Sequence, residues 1–333
     1  MNRREISKKM KKRIIKNLIF SVIAFAAIIV VNFLLPRLMP GDPLANLIGA
    51  DVEAISQEEY DALRHETGLD KPMSEQFGDY LKSVFTGEWG YSYHRGDDVG
   101  KLIAQKMPAT LQIAFPAWLI SALLSLWLGV NAGYRKSRPL DYALSGTMVV
   151  VDAVPSFLMA IVLLILFAFK WDLLPSGALN SVDAPSGVQG FVDRLTHLVL
   201  PVITLVIVST PKKYMLMRNL TASATDEQYI TYAKSKGLSA SRIKFSHIFP
   251  NVSGAFLSML GTSFGHIVAG SIVIETVFSI DGIGLLVSKG ISDLDYPVLQ
   301  GAFLVIALCV LVSNFISDVV CALVDPRQRR TEV

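Results

Sequence analysis

Three groups of residues have types and spacings that could do chemistry. Gly261-Thr262-Ser263-Phe264-Gly265 matches G-x-S-x-G, the signature that presents a nucleophilic serine, and His266, a general-base residue type, follows directly. A nucleophile elbow needs a strand, a sharp turn and a helix. This pentapeptide lies inside an unbroken apolar run, and glycines four apart also satisfy the spacing for close packing of apolar helices. Packing is the preferred reading, with a hydrolase built on Ser263 and His266 as the rival. Three carboxylates, Asp152, Glu275 and Asp318, also sit in apolar stretches. Such charges cost ~2.5–3.5 kcal/mol on insertion scales, so they face a cavity or a partner. Asp152 and Asp318 are expected to line a path or to pair across a bundle. For Glu275, a bond to a neighbouring helix and contact with a solute stand equal. The histidines at 65, 94, 197, 247 and 266 show neither H-x-x-x-H nor H-E-x-x-H, so no metal site is expected, and His266 reads as a hydrogen-bonded bundle residue. No G-x-x-x-x-G-K-[ST] loop occurs, so the chain is not expected to cradle nucleotide phosphates itself.

The elements that must position these residues follow from hydropathy. Of 333 residues, 52% are apolar and only 18% are charged, with 2 Cys, 23 Gly and 15 Pro; mean hydropathy is +0.46. Ordinary soluble domains carry about a quarter charged residues, so soluble, collagen-like, disordered and disulfide-scaffold classes are excluded. A bilayer core of ~30 Å takes about 20 apolar residues as helix. Six stretches qualify, at 17–36, 107–133, 142–169, 195–217, 252–278 and 297–323. Pro116, Pro155, Pro201 and Pro211 fall inside spans, where neighbouring helices can satisfy the freed carbonyls. Ten-residue alternating segments are absent, which excludes a membrane β-barrel. The expected fold is all-α and integral to the membrane, with six transmembrane helices.

Lysine and arginine set the orientation. Segment 1–16 carries eight of them, and with it inside, the inner segments total 21 basic residues against 10 outside. Segment 37–106 holds 13 acidic and 7 basic residues, whereas 212–250 holds 2 and 7. The positive-inside rule therefore puts both termini in the cytoplasm. The basic head and following apolar run also resemble a signal peptide, but the run is long and Pro36-Arg37-Leu38-Met39-Pro40 is not an A-x-A site, so it is read as a span.

The organisation is then a basic head (1–16), a first span (17–36), an extracytoplasmic subdomain (37–106), a core of five further spans (107–323) with an inner loop at 218–250, and a short cytoplasmic tail (324–333). The subdomain opens with the turn Gly41-Asp42-Pro43 and a Ser56-x-x-Glu59 capping box. Its aromatic and glycine run, Phe85 to Ser92 with Trp89 and Tyr91, suits contact with a soluble partner; a loosely ordered acidic loop is the alternative. In the inner loop, Asp226 and Glu227 favour a helix start, Gly237 a stop, and Ser239 can cap a second helix running into Pro250. Two short helices making a knob, and an amphipathic connector lying on anionic lipid, fit this composition equally.

The inner loop resembles the EAA loop of permease subunits of binding-protein-dependent ABC importers. The chain as a whole is similar to the dipeptide, oligopeptide and nickel permease family with the long first periplasmic loop. The resemblance is carried by Pro40-Gly41-Asp42-Pro43, Gly87-Glu88-Trp89-Gly90-Tyr91-Ser92, Val154-Pro155-Ser156-Phe157, Ala233-Lys234-Ser235-Lys236-Gly237-Leu238-Ser239, Glu275-Thr276-Val277-Phe278-Ser279 with Gly282-x-Gly284, Asp295-Tyr296-Pro297-x-x-Gln300-Gly301, and Asp325-Pro326-Arg327. Three positions depart from the family pattern: Gln228 replaces the usual Asp, Ile280-Asp281 replaces an aromatic-Pro pair, and Asp152 stands where a neutral residue is usual.

The resemblance implies half of a translocation path in a bacterial inner membrane, carrying short peptides, with nickel chelates or other small solutes as the alternative. It implies a second homologous permease, two cytoplasmic ATPases that bind the ATP and Mg, an extracytoplasmic substrate-binding protein and surrounding lipid, with no nucleic acid. It assigns coupling to the ATPase to Glu227, Gln228, Tyr229, Ala233, Lys234, Lys236, Gly237 and Leu238. Asp152, Pro155, His266, Glu275 and Asp318 become path or gate residues, and Phe85, Trp89 and Tyr91 contacts for the binding protein.

Overall fold

A computed structural model describes residues 3–38, 44, 56–183 and 186–324. The basic side chains from Arg3 to Arg13, the Pro40-Gly41-Asp42-Pro43 turn and Asp325-Pro326-Arg327 lie outside the described residues. The described chain is almost wholly helical, apart from a two-residue hairpin. Helix α1 is Arg3–Leu38; α2 (Gln57–Glu66) and α3 (Met73–Thr86) follow; β1 (Tyr91–Ser92) pairs antiparallel with β2 (Asp97–Asp98). Then come α4 (Val99–Tyr134), α5 (Pro139–Ala153), α6 (Ser156–Leu164, extended by a wide turn to Lys170) and α7 (Val188–Ala224). The remainder is α8 (Gln228–Ser235), α9 (Ala240–Arg242), α10 (Phe249–Val277), α11 (Ile283–Ser292) and α12 (Tyr296–Val324).

Five described helices are long and apolar enough to cross a membrane, and a sixth span results if the bent pair α5 and α6 counts as one. That pair is the third apolar run, and it turns by 98°. Pro155 forces the turn: Val154, ahead of the proline ring, takes an extended conformation (φ −83°, ψ 123°) instead of a helical one. By contrast, α7 runs through Pro201 and Pro211 as 37 uninterrupted residues. Helix α4 begins at Val99, eight residues before the apolar run at 107, because Val99, Leu102 and Ile103 bury themselves in an outer cluster with α11 and α12. At ~1.5 Å per residue its 36 residues reach ~54 Å, well beyond a bilayer core.

The capping box forms as read: Ser56 accepts from the Glu59 N–H at 3.3 Å, and the Glu59 carboxylate accepts from the Ser56 N–H at 3.2 Å. Helix α3 stops at Gly87, whose φ of +80° is open to glycine. It docks on the outer end of α1, where Phe33 meets Phe77 and Tyr80 and Arg37 stacks on Phe33 while bonding Gln76.

The second helix of the inner loop differs from expectation. It does not end at Pro250; α9 passes through a wide turn at Ile243–Ile248 straight into α10, one helical body from Ala240 to Val277. Pro250 lies just beyond this wide turn, at the start of α10.

Glycines set two close helix approaches. A Cβ on Gly129 would lie 2.8 Å from the Met217 Cβ, and one on Gly133 2.4 Å from the Arg218 carbonyl oxygen, so α4 and α7 touch through their backbones. Between α10 and α12, a Cβ on Gly261 would sit 1.9 Å from the Ser317 Cβ, and one on Gly265 2.8 Å from the Val310 Cα. The G-x-S-x-G pentapeptide is thus a packing face. Ser263 donates to the Leu260 carbonyl at 2.8 Å and His266 bonds the Thr262 carbonyl at 2.8 Å, each one turn back within α10. We expect Gly261→Val to overpack this seam by about 1–3 kcal/mol, lowering the thermal unfolding midpoint in detergent, whereas Ser263→Ala leaves it unchanged. Equal midpoints for Gly261→Val and the parent would refute the assignment.

Candidate functional site

Between α7 and α10 the chain folds into a compact knob. Glu227 starts α8 in an extended conformation, Gly237 reverses the chain at φ +71°, and Ser239 accepts from the Arg242 N–H to start α9. A Cβ at Gly237 would meet nothing within 4 Å, so the demand for glycine is purely conformational. Ala233 departs from its assigned role: with Ile230 it is buried against Val130, Met217, Ile248 and Phe256 of its own bundle. Its small size serves that inner contact. The outward face of α8 is Glu227, Gln228, Thr231, Tyr232, Lys234 and Lys236, with Tyr229 and Leu238 half-buried. Lys236 lies over the Tyr232 ring at 4.5 Å, and Lys136 pairs with Asp226.

The three intramembrane carboxylates take three separate environments. Asp152 is exposed on α5, one turn before the bend, and Pro155 is exposed at the bend itself. Asp318 accepts from the Asn17 side chain at 2.8 Å, which ties α12 to α1 and realises pairing across the bundle. Glu275 is completely buried within the subunit, so grouping it with surfaces of a path is corrected: its carboxylate accepts from the Ser271 hydroxyl at 2.8 Å and the Gly284 N–H at 2.6 Å. That places the carboxyl group at the N-terminus of α11, where it supplies an acceptor to a backbone N–H that has no partner within the helix. Thr110 of α4 accepts the Ile283 N–H at 2.9 Å beside it. The Gly282-x-Gly284 pair follows from the same packing: a Cβ on Gly282 would lie 2.3 Å from the Glu275 Oε2, and one on Gly284 2.4 Å from the Ile272 Cα. His266 is exposed on α10.

In the segment from α3 to the hairpin, Phe85 and Tyr91 are exposed (73% and 43%), and Tyr91 packs edge-on against Tyr93. Trp89 differs: it turns inward against Gly301 and the outer cluster. Trp89, Tyr91 and Tyr93 rim a cleft of about 500 Å³ together with Arg37, Glu66, Lys71, Tyr80 and Pro297. Among the described residues, no group of three or more His, Cys, Asp or Glu side chains is placed to hold a metal ion.

Sequence reasoning missed three buried polar ties. The Lys213 ammonium lies inside the α4–α7 seam and donates to Ser121 at 2.6 Å. Arg218 of α7 forks onto the buried Asp141 of α5, with its Nε 2.9 Å from Oδ1. Ser92 donates to the buried Asp295 at 2.5 Å. The available signal was charge inside or at the edge of an apolar run; which residue answers it, 77 to 203 positions away, is not marked in the sequence.

Comparison with known proteins bears on the whole chain. Residues 100–330 match the family described as binding-protein-dependent transport system inner membrane component, and residues 10–114 match the N-terminal region described for such components. The chain is 32% identical over 306 residues to a Brucella suis protein with a peptide-permease name, covering 92% of this chain and 95% of that one. It is 29% identical over 316 residues to a peptide ABC transporter permease protein of Sinorhizobium fredii (95% and 98% covered). The di/tripeptide transport system permease protein of Pseudomonas aeruginosa matches at 29% over 320 residues, with 92% and 95% covered.

Removing the Glu275 carboxylate tests the geometry directly. Glu275→Ala leaves the buried Gly284 N–H without its acceptor, at about 1–3 kcal/mol for an orphaned group, while the Ser271 hydroxyl keeps the Val268 carbonyl. We expect a lower unfolding midpoint and faster proteolysis around 283–292. Parent-like melting and protection would show that α11 is held by other contacts.

Proposed function

We infer the role of this chain from its membership: it belongs to the binding-protein-dependent transport system inner membrane components, the permease subunits of ABC importers. It is a multi-pass membrane transport component, and its relatives' permease names leave no support for a hydrolase at Ser263. The finer reading is that it forms one half of the translocation path for short peptides. A second homologous permease supplies the other half, two cytoplasmic ATPases the work, and a binding protein the cargo, with both termini in the cytoplasm. Peptide as cargo is supported by the printed names of three relatives that align over more than nine-tenths of the chain. The exposed polar and aromatic face of α8 carries the coupling role, since it projects from a knob whose other face is already spent on the bundle.

In this reading the ATPase groove receives Glu227, Gln228, Tyr232, Lys234 and Lys236, while Gly237 sets the direction of α8. Gly237→Val forces a β-branched residue to φ +71°, costing at least ~1 kcal/mol; Gly237→Asn is tolerated better because Asn visits that region. We expect Gly237→Val to insert normally, to pull down less ATPase and to lose most uptake, with Gly237→Asn in between. If Lys234→Ala/Lys236→Ala is the more damaging change and Gly237→Val is harmless, the knob is a lipid-surface element instead.

The run from Phe85 to Tyr91 is proposed as the contact for the binding protein. Phe85→Ala with Tyr91→Ala should weaken its affinity about tenfold or more, as loss of exposed aromatic anchors does, without altering ATPase assembly. Undiminished affinity would place docking elsewhere.

Asp152 is proposed to face the path beside the bend. It favours neutral or cationic cargo, so Asp152→Ser should preserve transport while raising uptake of acidic peptides relative to basic ones. An unchanged ratio would leave Asp152 without a role in selection.

A further inference from the structure

Two sequence blocks some two hundred positions apart meet at the outer face. The Ser92 hydroxyl donates to one Asp295 oxygen at 2.5 Å, and both residues are buried. The other Asp295 oxygen accepts the Val298 N–H at 3.3 Å, in the first turn of α12. The Asp295 N–H in turn donates to the Gly290 carbonyl at 2.9 Å, closing the end of α11. Gly90 rests on Pro297, and Trp89 on Gly301, where a Cβ would strike Val99 at 2.5 Å. Asp295 therefore joins three parts: the hairpin, the last turn of α11 and the first turn of α12. The opposite end of α11 is held by Glu275 and Thr110. This makes α11 a strut from the hairpin to the outer end of α10.

Two observations set this tie apart from ordinary packing. A hairpin with two-residue strands cannot hold its own position, so its placement depends on what it is bonded to. The Arg95 Nε is buried without a hydrogen-bond partner and lies 3.9 Å from Asp295, while the same guanidinium reaches Asp293 at 3.3 Å. A small shift of the hairpin would close that gap, so a second bonded arrangement lies within reach of the first.

We propose that Asp295 is a positioning residue for transport, which passes a displacement of the outer hairpin through α11 and Glu275 to α10. The inference rests on the reading that the binding protein docks at the Phe85–Tyr91 run. Arrival of the loaded binding protein shifts the hairpin, the Ser92–Asp295 bond carries α11 with it, and the outer end of α10 responds.

The test uses the complete transporter in liposomes with its binding protein, reading binding-protein affinity, stimulated ATP hydrolysis and peptide uptake separately. Ser92→Ala deletes the tie while leaving the exposed aromatics in place. The expected result is unchanged affinity with stimulated hydrolysis and uptake both reduced about tenfold, the scale of one hydrogen bond to a charged group. The double variant S92C/D295C restores a tie when oxidised, so its uptake should be higher oxidised than reduced. Full uptake in Ser92→Ala, or oxidised S92C/D295C no better than reduced, overturns the proposal. A loss confined to affinity also overturns it, since Ser92 would then act in docking itself. If Ser92→Ala does not insert, Asp295→Asn keeps an acceptor for the Val298 N–H; lowered uptake at parent affinity supports the proposal and full uptake overturns it. Failure of the docking reading shows separately, as parent-like affinity in the Phe85→Ala/Tyr91→Ala variant.

Discussion

In hydrocarbon no water is available to finish a hydrogen bond, so each buried polar group needs a partner inside the protein. That constraint organises this subunit more than its apolar patterning does. Asp318 finds Asn17, Lys213 finds Ser121, Asp141 finds Arg218 and Glu275 finds the first turn of α11. Each pairing joins two elements that hydrophobic burial alone would leave free to slide, because lipid tails are as apolar as leucine. The polar ties therefore fix which helix sits beside which, and glycines at 129, 133, 261 and 265 set how closely they approach.

The ties divide the subunit by depth. At the inner end, Ile230 and Ala233 plug α8 into a cluster with Val130 and Phe256. At the outer end, Glu275 and Asp295 hold the two ends of α11. An apolar cluster around Ile113, Leu200 and Val268 packs α4, α7 and α10 together. The residues that meet other proteins in the proposed assembly are mounted on these anchored pieces, not on loose loops.

Much of this was legible in the sequence, for identifiable reasons. Span positions follow from bilayer thickness, and the Ser56–Glu59 box and the Gly237 reversal from local backbone chemistry that needs only a few neighbouring residues. The 98° bend at Pro155 was not, since α7 carries two prolines and stays unbroken; whether a proline bends a helix depends on neighbours far away in the chain. Ala233 illustrates the same limit. Its smallness signals close approach, but not that the approaching surface belongs to its own bundle. The family blocks near 90, 280 and 300 were recognisable as words, and only the fold shows them in contact, with Trp89 on Gly301 and Ser92 on Asp295.

The continuity of α9 and α10 bears on how force travels. A loop separated from its span by a flexible joint would dissipate a push in bending. Here the chain from Ala240 to Val277 is one helical rod of 38 residues, about 57 Å along its axis, with the knob at one end and Glu275 near the other. The bent pair α5 and α6 is the opposite kind of part, with an elbow where this one is straight. Among the described residues the subunit thus sets a continuous helix behind the knob and an elbow beside Asp152.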